Sequence, residues 1–240
     1  EKGQEYLRRI ADGISGVEVE TVVLRGRPAR QIVELVDEYT DPLIVMSSHG
    51  HSGFRRMVLG SVAARVVQTA GVPVMLVRAT EEGSNIRVPS EVRRVVVPLD
   101  GSDFAEYALD ATFNIVGGDD VEIRLVRVPE IAAYPATMYG AASYEAVDMY
   151  MEAMRTEAQT YLEEMAARLR ERHPNVSWEV REGAASAVIL EVAREFDADL
   201  IAMASHGRTG FRRFLMGSVA EQVLRDAEVP VLVVGPKDDD

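Results

Sequence analysis

Short apolar runs alternate with amphipathic stretches along most of the chain. In residues 93–236 the apolar runs predict five strands: Arg94–Leu99, Val121–Val128, Val176–Arg181, Leu200–Ala204 and Val229–Val234. Helical spacing of apolar positions predicts four helices between them: Asp103–Phe113, Glu145–Arg172, Ala185–Phe196 and Ser218–Ala227. Most of the strands lack polar alternation, which is typical of a parallel sheet buried on both faces. The pattern therefore predicts an α/β fold: a Rossmann-like five-stranded parallel sheet with helices on both faces.

The chain contains an internal repeat. Residues 43–61 read LIVMSSHGHSGFRRMVLGS, and residues 200–218 read LIAMASHGRTGFRRFLMGS. The two copies keep a constant offset of 157 from Gly26 and Gly183 through Val77 and Val234, without an insertion. A match of this length and regularity indicates a tandem duplication.

The first copy lacks its front half. It starts inside the long helix, at Glu1–Ile10, so that two strands, one helix and a loop of the second copy have no counterpart. We predict the C-terminal half of a first repeat in residues 1–80, a linker in 81–92 and a complete second domain in 93–236. A remnant of three strands would expose sheet edges, so we expect the natural polypeptide to be longer.

Composition narrows the function classes. The 26 basic and 39 acidic residues give a net charge of −13, which opposes non-specific binding to nucleic acid. All the basic residues except Lys2 and Lys237 are arginines, which suggests a halophilic source, although a crowded acidic surface on a mesophile's protein is the alternative. Cysteine is absent, so disulfides and cysteine-ligated zinc are excluded.

Membrane and export signals are not evident. No apolar run has membrane-spanning length, and the charged start EKGQEYLRRI lacks the layout of a signal peptide. We therefore expect a cytoplasmic protein that does not interact with membranes.

The most specific chemical signal follows the fourth strand of the second repeat, where the chain leaves the carboxyl edge of the sheet. Gly207 and Gly210 allow the backbone to approach a ligand. Gly217 and Ser218 precede a helix whose first amides and dipole favour an anion. The combination predicts a phosphate cradle. The alternative for Ser218 is a capping box with Glu221.

Asp100 is a further candidate, and the pair Ser205 and His206 has to be weighed as a possible dyad. Asp100, at the end of the first strand in PLDGS, could bind a ribose hydroxyl or reach a metal ion on the phosphates. The alternative is a turn aspartate that bonds its own backbone. Ser205 and His206 are adjacent, and neighbouring side chains of an extended chain point apart, so we predict no Ser-His dyad.

These residues resemble the universal stress protein family in its tandem form. The family's ATP-binding members share G-x2-G-x9-G-[S/T]. This chain reads A-S-H-G-x9-G-S at Ala204–Ser218 and S-S-H-G-x9-G-S at Ser47–Ser61, so a small residue replaces the first glycine in both copies.

The resemblance implies that the ligand is an adenine nucleotide, ATP or AMP, with Mg²⁺ as its candidate companion. It implies that Pro98 and Asp100 hold the adenosine end and that Val128 lies beside the adenine. The other candidates in the second repeat are Met203, Ala204, Gly207, Arg208, Gly210, Gly217, Ser218 and Val219. A weaker set in the first repeat comprises Gly50, Gly60, Ser61 and Val62.

The family dimerises through the last strand of its sheet. Here this implies that Val72–Val77 pairs with Val229–Val234 inside the chain, as a pseudo-dimer, and that two chains can associate as a homodimer. Antiparallel pairing of these two apolar runs would also remove two aggregation-prone edges.

The favoured function is a binding or regulatory module of the stress response. The sequence shows no positioned general base, activated nucleophile or Walker lysine, so we predict no catalytic residue and at most slow ATP hydrolysis. An adenine-nucleotide hydrolase of the related fold is one alternative, but it would carry an S-G-G-x-D-S loop where this chain has PLDGSD. The other alternative is a degenerate scaffold that only dimerises, because the first glycine is lost in both copies.

Overall fold

The structure of the chain, a computed structural model, describes residues 2–48, 59–78, 87–116, 118, 120–129, 144–206 and 216–235. Within these ranges the helices are α1 Lys2–Ala11, α2 Pro28–Val36, α3 Ser61–Thr69, α4 Asp103–Ile115, α5 Tyr144–Arg170, α6 Ala185–Glu195 and α7 Ser218–Asp226. The strands are β1 Ile44–Ser47, β2 Val74–Val77, β3 Arg94–Pro98, β4 Glu122–Arg127, β5 Val176–Val180, β6 Leu200–Ala204 and β7 Val231–Val234.

All seven strands form one sheet in the order β1-β2-β7-β6-β3-β4-β5. The five strands of the second repeat, from β7 to β5, pair in parallel throughout, which confirms the predicted fold class. β3 lies between β4 and β6, so the connections after β3 and after β6 run in opposite directions across the sheet. This topological switch point leaves a crevice at the carboxyl ends of the strands.

The helices cover both faces of the sheet, and β6 shows how. Ile201 and Met203 pack in a core cluster with residues of α6 and α7, whereas Leu200 and Ala202 pack with residues of α4 and α5. Every residue of β6 is buried, which explains its uniformly apolar sequence.

The two repeats join through their last strands. β2 and β7 pair antiparallel, with Val74 opposite Val233 and Met75 opposite Leu232, as the sequence predicts for these apolar runs. Val74 and Val233 belong to a core cluster that also contains residues of both α3 and α7. The repeats therefore share a continuous core as well as a continuous sheet. Gly26 and Gly183, at the same position in each repeat, both have a positive φ, 143° and 139°, which favours glycine.

The first repeat has one strand fewer than predicted. Residues 19–24 correspond to β5 by the repeat offset, but the structure shows no strand there. β5 pairs with β4, and the sequence of the first repeat contains no equivalent of β4. Without that partner the segment has no neighbouring strand to pair with, and its Val19 and Val23 are exposed. The prediction of a three-strand remnant is therefore wrong for the described residues.

The shared core generates a stability prediction. We expect Val231→Glu to lower the free energy of unfolding by more than about 3 kcal/mol, because it buries a carboxylate where β7 meets β2. Val45→Glu is the matched control: Val45 lies on β1 with 58% of its surface exposed, so the cost should stay within about 0.5 kcal/mol. Denaturant unfolding measures the free energy of unfolding of both variants, and size-exclusion chromatography shows whether each variant stays compact or aggregates. Equal stability of the two variants would contradict the shared core.

Candidate functional site

A cavity of about 200 Å³ opens at the switch point of the sheet. It is lined by the carboxyl ends of β3, β4 and β6 and by the N-termini of α6 and α7, together with Ala105 of α4 and Met154 of α5. The predicted site residues that line it are Pro98, Asp100, Val128, Met203, Ala204, Gly217, Ser218 and Val219. Segments separated by more than 100 positions in the chain are thus brought to one place by the strand order.

Asp100 is held by the turn that follows β3. Its Oδ1 accepts hydrogen bonds from the backbone N–H of Ser102 at 3.0 Å and from the Ser102 hydroxyl at 2.6 Å. Ser102 is the N-cap of α4, and its Oγ accepts from the Ala105 N–H at 3.2 Å. Asp100 therefore bonds its own turn, as the structural alternative predicts, and it also lines the cavity. The two hydrogen bonds from Ser102 orient this carboxylate.

The N-terminus of α7 forms the opposite side of the cavity. Gly217 is the N-cap, with φ −63° and ψ 146°, and its N–H donates to the Ser205 carbonyl at 2.8 Å. Ser218 is the first helical residue, and no side chain caps the helix. The capping-box alternative for Ser218 is therefore not realised. A glycine N-cap lets a ligand approach the first amides of the helix, where the dipole favours an anion.

The first repeat contains the same local geometry. Gly60 is the N-cap of α3, with φ −58° and ψ 140°, and its N–H donates to the Ser48 carbonyl at 2.9 Å. Ser61 and Val62 begin the helix. Among the described residues, no strands equivalent to β3 and β4 lie beside this helix N-terminus.

Some predicted site residues cannot be placed. In the second repeat Gly207, Arg208 and Gly210 lie outside the described residues, and in the first repeat Gly50 does.

His206 and Ser205 contradict the prediction that their side chains point apart. Ser205 Oγ lies 2.8 Å from His206 Nδ1, at hydrogen-bonding distance. The reason is that β6 ends at Ala204, so the alternation of an extended strand no longer applies to these two residues. Both line the cavity, and Ser205 is 2% exposed. Burial lowers the pKa of His206, which favours the neutral imidazole.

Arg127 is a cavity-lining residue that the sequence reasoning missed. It ends β4, and only 5% of its side chain is exposed. Its Nη2 lies 3.0 Å from Glu157 Oε1 on α5, and its guanidinium lies 4.7 Å from the ring centroid of Tyr161. The signal was present in the sequence: one arginine follows two apolar residues at the end of a buried strand. A buried cation of this kind is held by its pairing and by the aromatic face.

Two further features concern metal ions and membranes. Among the described residues, no three histidine or acidic side chains come together as a metal site. None of the helices in the described ranges combines the length and apolarity needed to cross a membrane.

Comparison with known proteins identifies the relationship. The sequence model of the universal stress protein family matches residues 1–78 and 91–235. The chain belongs to the universal stress protein family. Universal stress protein MJ0531 of Methanocaldococcus jannaschii is 32% identical over 142 residues, covering 59% of this chain and 81% of that protein.

Other relatives match both repeats. Universal stress protein Rv2005c of Mycobacterium tuberculosis is 28% identical over 224 residues, covering 90% of this chain and 68% of that protein. The crystal structure of a universal stress protein from Archaeoglobus fulgidus is similar with a TM-score of 0.67 at 26% identity, covering 100% of this chain and 78% of that chain. The tandem arrangement of this universal stress protein therefore has a structural counterpart.

Ala204 stands where the family's ATP-binding motif has its first glycine. Ala204 packs in a small cluster with Ala108 and Val234, on the same side of β6 as Leu200 and Ala202. That side faces α4, whereas α7, whose N-terminus is the predicted phosphate cradle, packs on the other face of β6. The added methyl group is thus accommodated by packing against α4.

The two serines at helix starts yield a prediction. We expect Ser102→Ala to lower the free energy of unfolding by about 1 kcal/mol, because Ser102 caps α4 and bonds Asp100. Ser218→Ala should cost less than about 0.5 kcal/mol, because Ser218 is exposed and does not cap α7. Thermal and denaturant unfolding compare the variants. If Ser218→Ala lowered the free energy of unfolding more than Ser102→Ala does, the capping-box interpretation of Ser218 would be correct.

Proposed function

We propose that this universal stress protein binds an adenine nucleotide, ATP or AMP, in the cavity of its second repeat. The proposal rests on one observation: the switch point joins an apolar wall at the ends of β3 and β4 to the glycine-capped N-terminus of α7. An aromatic base suits the apolar wall, and an anionic phosphate suits the helix N-terminus.

The adenosine end would lie against Pro98, Val128 and Met203, which supply apolar contacts at the carboxyl edge. Asp100 would accept a hydrogen bond from a ribose hydroxyl, because a carboxylate held by its own turn is preorganised as an acceptor. Fixed acceptors of this kind orient a ligand inside a mainly apolar pocket.

The phosphates would lie at the N-terminus of α7. Gly217 allows close approach, and Ser218 and Val219 would contribute amides of the first turn, with the exposed Ser218 hydroxyl as a further donor. We propose that Gly207, Arg208 and Gly210 also bind the phosphate end of the nucleotide, because they lie in the stretch that the family's ATP-binding motif covers. Asp100 is the one carboxylate among the described residues that line the cavity. Mg²⁺ would therefore enter with the nucleotide, whose phosphates would supply most of its ligands.

A binding or regulatory role is favoured over hydrolysis. The Asp100 carboxylate is engaged by Ser102, and Ser205 is buried, so neither is presented as a base or nucleophile. Ala204, which replaces the first glycine, packs with Ala108 and Val234 while it lines the cavity, and the cavity keeps a volume of about 200 Å³, which argues against a degenerate scaffold.

The antiparallel pairing of β2 with β7 supports a second element of the proposal. We propose that this pairing makes the chain an internal pseudo-dimer, in which the last strand of each repeat covers the edge of the other. We propose that such chains act in the cytoplasm and associate further as homodimers.

The first binding prediction concerns stoichiometry. Calorimetric titration with ATP and with AMP should show one site per chain, because Asp100 and the β3–β4 wall have no equivalent beside α3. The first-repeat set Gly50, Gly60, Ser61 and Val62 should bind more weakly or not at all. Two sites of equal affinity would refute this assignment.

The second binding prediction concerns the proposed phosphate cradle at the N-terminus of α7. Gly217→Val should weaken ATP binding at least about tenfold, or roughly 1.4 kcal/mol, because its branched side chain stands before the helix amides. A Cβ at Gly217 would lie 3.4 Å from the Ser205 carbonyl oxygen, an ordinary contact, so the variant should fold.

The matched control is Gly60→Val, at the N-cap of α3 with nearly the same backbone angles. It should have a similar effect on stability and leave ATP affinity unchanged. If Gly217→Val folds and binds ATP as well as the wild type, the cradle lies elsewhere.

A further inference from the structure

The long helix α5 contributes one lining residue to the cavity. Among the described residues that residue is Met154, which is partly buried. The apolar residues that share the cavity with it include Val126, Val128, Ile189 and Met203. Met154 therefore adds to an apolar surface, and it does so from an element that carries none of the candidate site residues.

The length of α5 explains how it reaches the site. The helix has 27 residues and β4 has 6, so the helix is about 40 Å long and the strand about 20 Å. α5 begins after the carboxyl end of β4 and ends before β5, which runs parallel to β4. Its first half therefore extends beyond the carboxyl edge of the sheet, where the cavity lies.

The burial pattern of α5 places Met154 on the side of the helix that faces the sheet. Ala158 and Leu162, four and eight positions after Met154, are 1% and 0% exposed. None of residues 145–157 is buried, so the fully buried stripe of the helix begins at Ala158. Met154 continues that stripe by one helical turn towards the N-terminus, which brings it over the cavity.

Two ion pairs hold this part of α5 at the site. Glu157 Oε1 lies 3.0 Å from Nη2 of Arg127, which ends β4. Arg155 pairs with Glu182 in the connection between β5 and α6. Both pairs lie within one helical turn of Met154, so they tie the turn that carries it to the strand ends around the cavity.

Strand order assigns Met154 to one end of the cavity. Glu157, in the same turn of α5, pairs with the end of β4, whereas Gly217 donates its N–H to Ser205, which follows β6. β3 lies between these two strands, so the ends of β4 and β6 are about 10 Å apart. Phosphates at the N-terminus of α7 therefore leave the β4 end, with Met154, for the base.

We infer that Met154 packs against the base of the nucleotide and gives the cavity selectivity for ligands that carry a base. A thioether makes favourable contacts with an aromatic ring, and the flexible side chain of methionine adapts to its surface. An inorganic phosphate chain offers no such ring and gains nothing from Met154. The inference rests on the proposed function, to which it adds a base contact from α5.

Methyl NMR of the protein labelled at its methionines tests the contact directly. The Met154 methyl resonance, assigned by its loss in Met154→Leu, should shift by the ring current of the base when ATP or adenosine is added. Inorganic tripolyphosphate has no ring and should leave the resonance nearly unchanged. Met149 lies on the same helix with 75% of its surface exposed, and its methyl resonance should stay in place with all three ligands.

Affinity measurements by calorimetry provide a second test. Met154→Ala should weaken ATP binding about fivefold, because the base loses its contact with the thioether. Met154→Leu keeps a similar apolar volume and should largely retain the affinity. Met149→Ala is the matched control, because it removes the same side chain from an exposed position of α5, and it should bind ATP like the wild type.

Two further measurements separate loss of the base contact from other effects. Tripolyphosphate affinity, measured directly or by competition with ATP, should be the same in the wild type and in Met154→Ala. Thermal unfolding of each variant shows whether it retains its fold.

Each result bears on the inference or on the proposed function separately. If ATP binds to the wild type without a shift of the Met154 methyl resonance, the inference is wrong and the proposed function stands. If Met154→Ala weakens ATP and tripolyphosphate equally, the lost contact is not with the base, and the inference is wrong. If ATP does not bind but adenosine shifts the Met154 resonance, the phosphate assignment is wrong and Met154 keeps its role. If neither ATP nor adenosine shifts that resonance, the inference is wrong.

Discussion

The parallel pairing of β3 with β4 on one side and β6 on the other is the constraint on which the site depends. Val96 of β3 pairs with Arg124 of β4 and with Ile201 of β6, so β3 lies inside the sheet. The connections on its two sides run in opposite directions, and the crevice between them forms at the carboxyl edge. Asp100, Arg127 and His206 meet there because each follows or ends one of these three strands.

The two repeats show that a helix N-terminus alone does not make this site. Gly60 and Gly217 cap their helices with nearly the same backbone angles, and each donates its N–H to a serine carbonyl. Within the part of the chain that the structure describes, Gly217 lines a cavity together with the ends of β3 and β4, and Gly60 does not. The cradle and the wall come from different segments of one repeat, so the binding proposal concerns the second repeat.

Most of the fold was predictable because its signals are local. Uniformly apolar runs predicted β6 and β7, and the predicted start of α7 at Ser218 matches the structure. The third strand of the first repeat was mispredicted, since residues 19–24 have the composition of a strand but lack a neighbour to pair with. Strand formation depends on a partner elsewhere in the chain, and composition does not report that partner.

The sequence by itself determined the duplication, the fold class, the family resemblance and the glycine-serine pairs that begin α3 and α7. Tertiary structure alone decided that Ser205 turns towards His206, that Arg127 is buried beside the cavity, and that Ala204 directs its methyl group to α4. The physical reason is that periodicity and turn chemistry act between near neighbours in the chain. The direction and burial of a side chain at a strand end depend on elements that fold against it from distant positions.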